Sequence, residues 1–211
     1  NVRKDWLLTD AKCKMVLVPE FNNSYVHKGF WKSYSSVEDT LIKTIIQHQP
    51  ESKKIFITGH SLGGALAVLA AIDFSLHNFK PFGVYTFANP RVGGERFAEY
   101  YAQQNIPTFR YVNENDIVPM MPPTQKFHRL FCPVKDKTSC GKYQHVGIVY
   151  NIKKDKDIVA NDDELKVPNK TYRKGKIVRH NVLEYCDRLY YKYFPCNDSI
   201  NIVPCPPKKS K

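Results

Sequence analysis

The residues best suited to chemistry lie together at 59–63. Gly59-His60-Ser61-Leu62-Gly63 follows the β-prone run Lys54–Thr58 and precedes an Ala/Leu-rich run that ends at Ile72. A serine hydroxyl is a weak nucleophile. It becomes a useful one on a sharp strand-to-helix turn, with a base in reach and N–H donors aimed at the developing negative charge. The flanks supply that context. Ile55, Phe56 and Ile57 suit a buried parallel strand, and Ala65 to Ile72 suit a helix packed on the sheet. The turn between them must be tight, and a side chain at Gly59 or Gly63 is expected to collide with the neighbouring strand or helix. Ser61 is then held at the apex, at the C-terminal edge of the sheet. The backbone N–H of Leu62, at the helix start, points to where an oxyanion would form.

Such a serine needs a base to take its proton and a carboxylate to orient the base. Three histidines follow a suitable acid: His128, His145 and His180. Asp116 stands in Asn113-Glu114-Asn115-Asp116-Ile117-Val118-Pro119, directly after a predicted strand. Pro119, Pro122 and Pro123 would stiffen its loop. The competing reading of Asp116 is an ordinary turn or helix-capping aspartate. His180 precedes a helix and is well separated from Asp116, which favours it as the base. His145 lies in a β-prone run and reads as structural, and His128 belongs to the loop adjoining Asp116.

Strand-like and helix-like segments alternate, so the elements that must position these groups form an α/β domain. Met15 to Val18 is a short apolar run ended by Pro19. Val37, Leu41, Ile45 and Ile46 recur at helical spacing between Ser36 and Gln49, before Pro50. After the Ser61 turn come a strand at 82–88, a helix at 95–104, a strand at 108–112 and a β-prone stretch at 143–152. The Lys/Asp/Asn-rich stretch 153–176 reads as a loop or hairpin insertion. From His180 to Phe194, Val182, Cys186, Leu189 and Tyr193 line one helical face. The organisation expected is a single domain over 1–195 and a Pro/Lys-rich tail over 196–211.

The 211 residues, 42% hydrophobic and 13% aromatic, are enough for one globular core. No apolar stretch approaches the roughly 20 residues that span a bilayer as a helix. The formal net charge of +12 reads first as a solvated basic surface and second as an attraction to an anionic membrane surface. No helix-turn-helix, RNP-like or zinc-finger signature accompanies that charge, so nucleic acid is not the expected partner. The six cysteines contain no C-x-x-C pair, which argues against structural zinc. Cys132 and Cys140 bracket a short loop that a disulfide could close. With the sequons beginning at Asn22, Asn169 and Asn197, the cysteines point to a secreted protein, the alternative being a cytoplasmic one with free thiols. No signal-peptide pattern follows Asn1.

Six stretches resemble, in order, the class 3 lipases, the fungal-type triacylglycerol lipase family of α/β-hydrolases. They are Val26-His27-Lys28-Gly29-Phe30, the TGHSLGGALA run around Ser61, TFANPRVGG at 86–94, NENDIVPMMPP at 113–123, YQHVG at 143–147 and HNVLEY at 180–185. The resemblance covers roughly residues 1–190. It implies an α/β-hydrolase fold with a mostly parallel central sheet flanked by helices. It implies Ser61 as nucleophile, Asp116 as orienting acid and His180 as base, in agreement with the reading of the residues, and excludes His60 and His145 as the base. The implied reaction is hydrolysis of lipid esters at an interface, with no metal or organic cofactor.

Two departures from the family pattern stand out. The F-R-G-[ST]-like strand end that carries the other oxyanion donor would fall before Asn1, leaving Leu62 as half of the hole and the N-terminal strands out of view. In YQHVGIVY, Ile148 and Val149 stand where relatives often carry an acid. The resemblance also sets Asn1 to Asp10 at the family's lid, where Val2, Trp6 and Leu7 would cover the serine in water and turn to lipid. Rival specificities within the fold are phospholipase A1, monoacylglycerol lipase or feruloyl esterase. A rival of another class is a non-catalytic lipid-binding or interaction protein.

Overall fold

A computed structural model describes residues 14–48, 54–122, 142–153, 157–161 and 180–193. The lid expectation on Val2, Trp6 and Leu7, the loop between Cys132 and Cys140, and the tail at 196–211 lie outside them.

Two sheets frame the molecule. Strands β1 (Met15–Val18), β2 (Ser24–His27), β5 (Gly93–Gly94) and β7 (Tyr143–Gln144) form a small antiparallel sheet in the order β1-β2-β5-β7. The larger sheet contains β3 (Phe56–His60), β4 (Gly83–Phe87), β6 (Thr108–Asn113), β8 (Ile148–Ile152) and β9 (Ile158–Asn161), ordered β3-β4-β6-β8-β9. Its first four strands are parallel and β9 returns antiparallel on β8. Parallel neighbours need crossovers. Helix α3 (Leu62–Leu76) supplies the one from β3 to β4, and α4 (Glu95–Gln103) lies between β4 and β6.

Along β4 and β6 successive side chains face opposite sides. Val84 faces the main core with Ile57. There α3 buries Ala65, Val68, Leu69, Ala71 and Ile72, joined by Phe97 and Tyr101 of α4 and by Phe30 and Tyr34 of α1 (Lys28–Ser35). Phe87 and Tyr111 face the other side, where α5 (Val182–Tyr193) inserts Tyr185 beside Ala88 and Ile152. The sheet is therefore covered on both faces at its C-terminal edge, where the strand ends present their loops. α3 is apolar on almost every side because it lies between the sheet and α1; Tyr34 donates to the buried Asp73 carboxylate across that contact at 2.6 Å.

Four sequence expectations change. β3 is an edge strand among the described residues, so Phe56 is largely exposed, and the fully buried strand expected at 55–57 is half-covered. The helix expected between Ser36 and Gln49 forms as α2 (Glu38–His48), but it turns Ile42 and Ile45 to the core and leaves Val37, Leu41 and Ile46 exposed. In α5, Val182 and Cys186 face solvent while Tyr185 and Arg188 are buried. The polar end of Arg188 on that buried face finds distant partners in the carbonyls of Ile152 and Lys153, and it also pairs with Glu184 one turn earlier in the helix. Finally, 143–152 is split between the two sheets. At the break Gly147 has φ +75°, and a Cβ there would lie 2.6 Å from the Thr108 carbonyl oxygen.

Candidate active site

β3 ends at His60 and α3 starts at Leu62, so Ser61 alone makes the turn. It does so at φ 58°, ψ −124°, a positive-φ conformation that L side chains avoid and that persists only where the surroundings impose it. They do: Ser61 N–H donates to the Phe87 carbonyl at the end of β4, and the Ser61 carbonyl accepts from Gly64 N–H. A serine at a helix N-cap ordinarily bonds its hydroxyl to the first-turn N–H groups. This one makes no such bond, and its Oγ lies 2.7 Å from His180 Nε2. The N–H of Leu62 belongs to the first turn of a 15-residue helix, where donors have no intrahelical acceptor and the helix dipole is positive.

The glycines of the turn divide differently from expectation. A Cβ on Gly59 would sit 2.2 Å from the Gly63 carbonyl oxygen, so strand and helix touch there through bare backbone. At Gly63 the expected collision is absent, with no described atom within 4 Å of a Cβ. The second close approach is at Gly64, whose Cβ would meet Asn89 Cβ at 2.6 Å. Asn89 is itself fixed by the Thr86 hydroxyl, which donates to its Oδ1 at 2.8 Å.

Asp116 arrives from the loop after β6. Its Oδ1 accepts from Val118 N–H at 2.9 Å, the local turn bond of the competing reading, while Oδ2 lies 3.1 Å from His180 Nδ1. One carboxylate thus has both a turn role and a site role. The loop is stapled as well as stiffened by proline. Arg91 donates to the Met120 and Pro122 carbonyls, and His145 Nε2 is 2.7 Å from the Pro119 carbonyl oxygen. Burial holds the His145 pKa well below its usual value, and the charges of Arg110 and Arg91 push the same way. A neutral ring donating through Nε2–H fits that environment, and the bond it makes is to the Pro119 carbonyl rather than to Ser61 or Asp116.

His180 sits just before α5 and is brought to Ser61 across 119 residues and to Asp116 across 64. Its ring packs against His60, with centroids 4.8 Å apart. Asp116 is 1% exposed, so the ion-facing edge of His180 is shielded from water. Sequence reasoning missed Tyr185. Its hydroxyl donates to Asp116 Oδ2 at 2.7 Å and accepts from Asn113 N–H at 2.9 Å. The usable signal was chemical: a tyrosine five residues beyond the base, in the helix that follows it, needs a partner for its hydroxyl if buried.

Ser61, His180 and Asp116 therefore meet in a chain of contacts suited to moving a proton off a serine hydroxyl. A profile of the family "Lipase (class 3)" matches residues 1–126. The chain belongs to the class 3 lipase family. It is 41% identical over 127 residues to a lipase of Rhizomucor miehei, a match covering 57% of this chain and 34% of that protein. It is 38% identical over 96 residues to a secreted mono- and diacylglycerol lipase of Penicillium cyclopium, covering 44% of this chain and 31% of that one. The matched part thus spans about a third of these relatives. Among solved structures, lipase II of Rhizopus niveus superposes with a TM-score of 0.66 at 27% identity, over 82% of this chain and 64% of that one. The fold of this class 3 lipase chain is the α/β-hydrolase fold.

Proposed function

We propose that this chain is the catalytic part of a serine ester hydrolase acting on acylglycerols, with Ser61 as nucleophile, His180 as general base and Asp116 as the orienting carboxylate. The observation that carries the reading is the 2.7 Å separation of His180 Nε2 and Ser61 Oγ, on a ring whose Nδ1 faces Asp116. With the ring neutral, Nδ1–H donates to Asp116 and Nε2 takes the Ser61 proton as Oγ attacks the ester carbonyl. The charge that develops on the carbonyl oxygen is met by the Leu62 N–H. Protonated His180 then returns the proton to the departing glycerol oxygen, leaving an acyl group on Ser61. Water, deprotonated by His180, attacks that acyl carbon. The fatty acid leaves and Ser61 regains its proton. The reading requires the neutral form of His180, since a protonated ring has no lone pair to take the Ser61 proton.

Family membership and the similarity to a secreted mono- and diacylglycerol lipase support a lipid ester at an interface as substrate, with partial glycerides among the first esters to try. The net charge of +12 favours anionic interfaces. The sequons and cysteines, with that secreted relative, support an extracellular location.

The test uses the full-length protein carrying this chain. A fluorophosphonate probe should label it at Ser61, S61A should remain folded and unlabelled, and wild type should release fatty acid from a diacylglycerol emulsion. A folded wild-type protein that neither labels nor hydrolyses the emulsion refutes the proposal.

A further inference from the structure

We propose that Tyr185 is a positioning residue of this site: its hydroxyl clamps Asp116 and sets how strongly that carboxylate pulls on the His180 ring. The inference rests on the ester-hydrolase reading of Ser61, His180 and Asp116.

Hydrogen accounting fixes the clamp. A phenol has one proton to give. Asn113 N–H donates to the Tyr185 oxygen at 2.9 Å, so that contact uses a lone pair and leaves the proton for Asp116 Oδ2 at 2.7 Å. The same Oδ2 faces His180 Nδ1 at 3.1 Å, and Oδ1 is taken by Val118 N–H. Asp116 therefore meets three donors, two of them competing for one oxygen. Asp116 and Tyr185 are each 1% exposed, so water cannot replace a lost donor without repacking. Burial and the Asp116 charge hold the Tyr185 pKa well above its usual value, which keeps the hydroxyl protonated and donating.

The clamp is built into the element that delivers the base. His180 lies two residues before α5, and Tyr185 lies in its first turns. Arg188 ties the same helix to the end of β8 through the Ile152 and Lys153 carbonyls. Base and clamp are thus delivered by one element, α5 and the residues just before it. Among the described residues, the other titratable or charged groups recorded beside this cluster are His60, stacked on the His180 ring, and Arg188 with its partner Glu184. Y185F leaves all of these in place.

Removing the Tyr185 proton leaves Asp116 with one donor fewer, so more of its charge acts on His180, and the protonated ring is favoured. The experiment is Y185F in the full-length protein, read first by NMR titration of the His180 ring, assigned by the signal lost in H180N. The expected result is a midpoint higher than wild type by about 0.5–1 pH unit, a roughly 3- to 10-fold tighter hold on the proton. The acidic limb of kcat/KM should move up by the same amount, while KM stays within about 2-fold, because Tyr185 contacts no substrate. Should Y185F not fold, 3-fluorotyrosine at position 185 serves instead; as a stronger donor it should move both readouts down.

A merely structural tyrosine would lower the melting temperature and leave the His180 midpoint where it is. That result overturns the inference. If the midpoint shifts as expected but wild type neither labels nor hydrolyses, the clamp stands and the ester-hydrolase reading falls.

Discussion

Replacing Gly59 with alanine should cripple the molecule, whereas the same change at Gly63 should be harmless, although both glycines belong to one five-residue motif. At Gly59 the new methyl would lie 2.2 Å from the Gly63 carbonyl oxygen, 2.3 Å from its carbon and 2.7 Å from Gly64 N. Ordinary contact begins at 3.4 Å, and all three atoms are backbone, so the start of α3 must retreat by about an ångström. Overpacking of this kind costs about 1–3 kcal/mol, and with no side chain able to swing aside the upper end applies. The retreat also displaces the Leu62 N–H from its aim, and a 1 Å misplacement can cost about 100-fold in rate. At Gly63 no described atom stands within 4 Å, and alanine in a helix is favoured over glycine by about 0.5–1 kcal/mol. Thermal melts and the labelling rate of Ser61 by a fluorophosphonate, per folded molecule, separate the two. G59A should melt lower and label about 100-fold slower, and G63A should match or exceed wild type in melting and label normally. Wild-type behaviour of G59A, or equal damage in both variants, would refute the argument that local space decides.

Asp116→Asn should lower kcat by roughly 10³–10⁴-fold with KM little changed, because an amide cannot accept from Val118, Tyr185 and His180 together and turns an N–H against one of them; steady-state kinetics on a soluble ester check it. His145 should make the fold acid-labile. Its folded-state pKa is depressed by burial, so the unfolded chain binds the proton more readily. The stability tied to its neutral ring is full above about pH 6.5 and is lost as pH falls from there toward the lower folded-state value. Melting temperature between pH 7 and 5 should drop less steeply in H145Q than in wild type, and equal slopes would remove His145 from that role.

Much of the site was legible before the fold, for local reasons. An apolar run, a Gly-x-Ser-x-Gly turn and an Ala-rich run are consecutive in the chain, and the strand, turn and helix they encode form from neighbours. Asp116 was legible because a polar loop residue directly after a strand lands at the sheet's C-terminal edge. α2 and α5 were legible as helices and misread as surfaces. Periodicity marks an apolar stripe, yet in α5 the buried stripe contains Tyr185 and Arg188, whose polar ends are satisfied by residues far away in sequence. A hydrophobic count scores such residues as solvent-facing.

The sequence by itself determined the strand, turn and helix that hold Ser61, since these depend on residue types within a few positions of one another. The sequence favoured His180 over His145, but only the tertiary structure set His180 against Ser61, because 119 residues separate the pair and the order of strands in the sheet brings their loops to one edge. It also decided that Gly64, rather than Gly63, meets a neighbour, because the atoms that crowd it belong to Asn89 at the end of another strand. It assigned Tyr185 to Asp116 for the same reason. Contacts between segments distant in sequence depend on how the sheet and helices are assembled, and residue type and spacing do not record them.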